Sequence, residues 1–157
     1  MAAYGTDEGF TAWLSANGHT LPGSLTAAVL RERASAYIDA LYGPRFVGKP
    51  VAWDQDLAWP RLGATAWGLA IPSDEVPGAV VNAVYAAAFA EAGSPGLLAR
   101  VVDPAGRVKS AGAGPAKVEF FEADGQYLAV ILSGIDGALA PLLIGGIHGR
   151  GVGVMVV

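Results

Sequence analysis

The chain contains no cysteine, which excludes a disulfide framework, a thiolate metal site and a cysteine nucleophile. Charge is scarce as well. Asp, Glu, Lys and Arg make up 15% of the 157 residues, against about 25% in an ordinary soluble domain. Histidine occurs only at His19 and His148, neither with a second histidine or a carboxylate at ligand spacing, so no metal is expected. No apolar run approaches the roughly 20 residues of a membrane span. The apolar stretch 76–90 is 15 residues long and includes Pro77 and Asn82. Ten Lys and Arg lie scattered under a net charge of −4, without the basic stripe of a duplex-DNA binder. Met1 to Gly5 carries neither a basic nor an apolar signal region, so the expectation is a protein made and used in a cytoplasm.

What is abundant is apolar surface. Hydrophobic residues form 53% of the chain, and mean hydropathy is +0.42, which excludes intrinsic disorder. The length suits one domain. So little polar material predicts a protein that hides surface against its own copies or a partner.

The first part reads as helical. Thr6 caps a short helix with Asp7 and Glu8 in its first turn and Phe10, Trp13 and Leu14 as its stripe, stopped by Asn17-Gly18. Ser24 is the expected cap of a longer helix to Tyr42, with Leu30, Ala34, Tyr37, Ile38 and Leu41 inward. Arg31, Glu32, Ser35 and Asp39 face mostly away, and Gly43-Pro44 ends it. Residues 46–77 read as a long connection with little period, carrying Trp53, Trp59 and Trp67, and a connection of that length usually has a task. Pro77 suits the first position of a helix to about Ala92, apolar nearly all round and so buried on more than one side.

Beyond Pro95 the pattern changes. Residues 97–103 suggest a strand, 103–106 a turn and 116–122 a strand, with short helices at 127–132 and 138–144. The end, GGIHGRGVGVMVV, is a Gly-rich arm with an apolar tip. The expected architecture is therefore mainly α. It is a small bundle of three to four helices with a long Trp/Pro-rich loop, a short β-hairpin or extended arm and a Gly-rich C-terminal tail. The segments are a helical core at 1–96, an extended part with short helices at 97–144, and an arm at 145–157.

No catalytic constellation emerges. The tail glycines do not form G-x-G-x-x-G, no G-x-S-x-G occurs, and Asp54 and Asp56 two apart read as solvated loop acids. The expectation is a non-enzyme without cofactor. The cluster Trp53, Trp59, Arg61, Trp67 admits two readings: stacking platforms with a cation for single-stranded DNA, or aromatic anchors pinning a loop. The tip residues Val152, Val154, Met155, Val156 and Val157, with Ile147, would add a strand to another chain rather than stay in water.

The run Gln55-Asp56-Leu57-Ala58-Trp59-Pro60-Arg61-Leu62-Gly63, followed by Ile71-Pro72-Ser73-Asp74-Glu75-Val76-Pro77, resembles the head–tail connector (adaptor, head-completion) proteins of long-tailed phages. Their homologues are often labelled DnaT-like single-stranded-DNA-binding proteins. Tyr4-Gly5-Thr6, Leu41-Tyr42-Gly43 and Phe46-Val47-Gly48 match in order, so the resemblance covers about residues 4–92. It implies a virion neck protein forming a ring, typically twelvefold, beneath the portal, assembled in the host cytoplasm and extending the DNA channel. Its partners would be its own copies, the portal, a tail-side neck protein and genomic DNA that passes through without sequence-specific binding. Gln55, Leu57, Trp59, Pro60, Arg61, Ile71, Pro72 and Pro77 would anchor the loop.

Overall fold

The structure is a computed structural model and describes residues 2–102 and 133–145. It is mainly helical, with two small β-hairpins. Helix α1 (Asp7–Ala16) begins where Thr6 accepts a hydrogen bond from the Gly9 N–H at 2.9 Å, and it buries Phe10 and Leu14. Helix α2 (Ala27–Tyr42) is capped by Thr26 and not by Ser24, because Thr26 stands three residues before the Val29 N–H that its hydroxyl receives at 3.3 Å. Its inward face holds Leu30, Ala34, Tyr37 and Ile38 as expected, but Ser35 is buried as well.

The stretch expected as an irregular connection contains two antiparallel ribbons. Strand β1 (Lys49–Pro50) pairs with β2 (Arg61–Leu62), and β3 (Thr65–Ala66) pairs with β4 (Leu69–Ala70). Strands of two residues are too short to print an alternation in the sequence. Helix α3 (Gly78–Gly93) follows, with Pro77 as its cap rather than its first helical residue. Nine of its 16 residues are buried, and α1, α2 and α4 all pack on it, so much of its all-round apolarity is covered within the chain.

Residues 97–102, expected as a strand, form helix α4 (Leu97–Val102). Six apolar-rich residues carry no decisive period, and a tertiary contact decides the matter. Glu91, buried on α3, accepts from the Gly96 N–H at 2.9 Å and the Leu98 N–H at 3.0 Å, satisfying donors at the start of α4. The same carboxylate pairs with Arg33 at 3.0 Å.

Helix α5 (133–139) buries Ile135 and Leu139, and a 3₁₀ turn (Ala140–Leu142) accommodates Pro141 where a helix over 138–144 was expected. Tyr42 donates to the Asp136 carboxylate at 2.6 Å, and Leu143 bridges Phe46 in antiparallel fashion. The turn expected at 103–106, the strand at 116–122, the helix at 127–132 and the apolar arm lie outside the described residues. No described helix is long and apolar enough to cross a membrane.

Candidate functional site

The Gln55–Gly63 motif turns inward. Trp59 is only 1% exposed, its ring edge-on to Phe46 with centroids 5.6 Å apart. The Trp59–Pro60 bond is cis. Beside it, the Tyr4 hydroxyl donates to Asp39 at 2.7 Å and accepts from the Trp59 N–H at 3.0 Å, while the other Asp39 oxygen accepts from the Ala58 N–H at 2.9 Å. The Tyr4 N–H donates to the buried Ser35 hydroxyl at 2.9 Å. Ser35 and Asp39 of α2 therefore point at the N-terminal segment and the motif, not at solvent as the helical pattern suggests.

Arg61 supplies the cation of this knot. Its guanidinium donates to the carbonyls of Val47 (2.8 Å), Gly48 (2.9 Å), Ala58 (3.1 Å) and Phe46 (3.4 Å). The rigid fork of arginine is what lets one side chain reach several acceptors. Gln55 donates to the Leu57 carbonyl at 2.7 Å and the Pro60 carbonyl at 3.1 Å, drawing the loop closed. Gly48 sits at φ +74°, where a Cβ would stand 2.5 Å from the Leu62 carbonyl oxygen. Leu57, Pro60, Ile71 and Pro77 are half-buried, and Pro72 is exposed.

Electrostatics follow from this burial. Burial pushes the Tyr4 phenol well above its ordinary pKa, and the charge and hydrogen bond of Asp39 add to that. Burial also raises the Asp39 carboxyl, opposed by the Ala58 N–H, the Tyr4 hydroxyl and the Arg61 charge. Burial lowers Arg61, opposed by Tyr4 and Asp39. Since Asp39 binds its proton more tightly when folded, its contribution to stability is present below the unfolded value of 3.8 and is lost as pH rises through the folded one. Asp39→Asn, although less stable overall, should therefore show a flatter stability profile as pH rises above about 4 in urea melts. An equal slope in both proteins would contradict this assignment.

Of the two readings of the cluster, Trp59 and Arg61 take the loop-anchor one: Trp59 cannot stack on a base, and Arg61 cannot hold a phosphate, because both are spent inside the fold. Trp53 and Trp67 differ sharply, at 96% and 85% exposed. Val51, Leu62, Leu69 and Ile144 are also exposed. Trp67 and Gly68 form the two-residue turn between β3 and β4, with φ of +55° and +78°. Positive φ at both turn positions is the type I′ signature, which favours Asn-Gly and costs a bulky residue about 1–2 kcal/mol. Trp67 thus strains the turn and buries little, so its ring adds little to the stability of the fold. Trp67→Asn should raise stability by about 1 kcal/mol, read as a higher thermal midpoint; a loss of stability would show that the ring supports the fold.

Over residues 49–75 the exposed charges are mostly acidic. Asp54, Asp56, Asp74 and Glu75 are exposed, as is Lys49 on β1. Arg31 pairs with Asp7 at 2.7 Å and Arg33 with Glu91. Among the described residues no group of His, Asp and Glu could hold a metal ion. The residues expected to bind a partner at the tail, Ile147, Val152, Val154, Met155, Val156 and Val157, lie outside the described residues.

Sequence reasoning missed Tyr4, Ser35, Asp39 and Glu91. Only Tyr4 left a signal, in the Tyr4-Gly5-Thr6 match. A family model described as "Putative DnaT-like ssDNA binding protein" matches residues 2–157. No curated protein and no solved structure matches the chain.

Proposed function

The chain belongs to the DnaT-like ssDNA binding protein family, and from that premise we propose that it binds single-stranded DNA through Trp53 and Trp67. The observation that carries the reading is the outward presentation of both rings, one of them at a strained turn position. Base stacking on such rings is tolerant of sequence because every base has a π-face. With Lys49 the exposed cation over residues 49–75, stacking outweighs phosphate contacts. The salt slope is then shallow, about −0.7 for each phosphate neutralised. Titrating the protein with a thymidine oligonucleotide at low salt should quench tryptophan fluorescence saturably. Absence of quenching would remove the reading. The role is binding, without a catalytic step or cofactor.

A second reading is favoured by one observation: apolar Val51, Leu62, Leu69 and Ile144 are exposed as the two tryptophans are, while Asp54, Asp56, Asp74 and Glu75 are exposed acids. Phosphates avoid such a surface and a protein can cover it. In this reading the protein is a phage head–tail connector subunit, placed in the virion neck against its own copies, the portal ring and a tail-side protein. Saturable co-sedimentation with the portal ring of the same phage, without an oligonucleotide shift, would favour it over DNA binding.

A further inference from the structure

Between the β3–β4 hairpin, the 71–77 return and the 3₁₀ turn lies a groove of about 360 Å³, at the small end of the range for ligand pockets. Trp67, Pro72, Pro77 and Pro141 are among its apolar lining. Glu75 is the charged residue of the lining, and a carboxylate is an acceptor-only group with two oxygens. An apolar groove lined by an indole ring and one carboxylate complements a planar ligand that offers two adjacent donors.

Among the bases, guanine alone presents that pair, N1–H beside the N2 amino group. Cytosine and adenine offer an amino group next to an acceptor, and thymine a single N–H between two carbonyls. Unstacked single-strand bases are read on this Watson–Crick edge. The carboxylates of Asp74 and Glu75 also repel phosphate, which turns the backbone outward and the base inward. We propose that the groove is a guanine subsite of the single-strand surface, with Trp67 stacking on the base and Glu75 accepting from its N1–H and N2 amino group. The inference rests on the single-stranded-DNA reading and assigns that site a base preference.

The test is an anisotropy titration of the full chain with a thymidine oligonucleotide of about 15 nucleotides and with its counterpart carrying one central guanine. The guanine oligonucleotide should bind about tenfold more tightly, the discrimination expected of one bidentate contact. Glu75→Gln should lose the preference, and Trp67→Asn should weaken binding of both. Equal affinity in the unaltered protein, or a preference retained by Glu75→Gln, overturns the subsite while leaving the single-strand reading standing. If neither oligonucleotide binds, the single-strand reading fails and the subsite with it.

Discussion

Arg61→Lys should destabilise the fold by about 2–4 kcal/mol although charge is conserved, read as a lower urea midpoint. The guanidinium serves the carbonyls of Phe46, Val47, Gly48 and Ala58 from three nitrogens. A lysine ammonium is a point donor and cannot reach acceptors spread over the 46–48 segment and Ala58. Each buried carbonyl left without a donor costs free energy. The Arg61 charge also lowers the pKa of Asp39, so a displaced cation leaves that carboxylate less supported. A lysine variant within about 1 kcal/mol of the parent would show that charge alone matters here.

The second large effect is functional. Trp53→Ala combined with Trp67→Asn should lower affinity for a thymidine oligonucleotide by about 30-fold or more, since each stacked base contributes about 1–3 kcal/mol. Stability should hold or rise, because both rings lie outside the core and Asn relieves the turn. This pairing separates function from folding: the variant keeps a well-formed chain and loses its ligand. Unchanged affinity would mean that DNA, if bound at all, is held elsewhere.

How much of this was legible differs by element. Helices α1 and α2 announce themselves, since Phe10 and Leu14, then Leu30, Ala34, Tyr37 and Ile38, recur at helical spacing and are buried. Helix α4 did not, because its six residues suit a strand equally and the decisive contact is Glu91 from another helix. The hairpins were hidden by strands of two residues. Ser35 and Asp39 read as outward because a helical pattern cannot foresee that Tyr4 and the Ala58–Trp59 backbone close over them.

The tryptophans show the same limit. In sequence Trp53, Trp59 and Trp67 form one cluster, yet the middle one is core and the outer two are surface. Trp59 lies inside the motif that Asp39, Tyr4 and Arg61 hold, which explains why the motif is specific without being a binding site. Trp67 did carry a mark in the sequence: the glycine that follows it is the second position of a tight turn.

The central claim is that Trp59 belongs to the fold and Trp53 and Trp67 to the ligand. The measurement that tests it most directly is an NMR titration of the four tryptophan indole N–H signals with a thymidine oligonucleotide at low salt. The account predicts saturable shifts at Trp53 and Trp67 while the signals of Trp59 and Trp13 stay in place. No shift at any tryptophan, or a shift at Trp59 as large as at the other two, would contradict it.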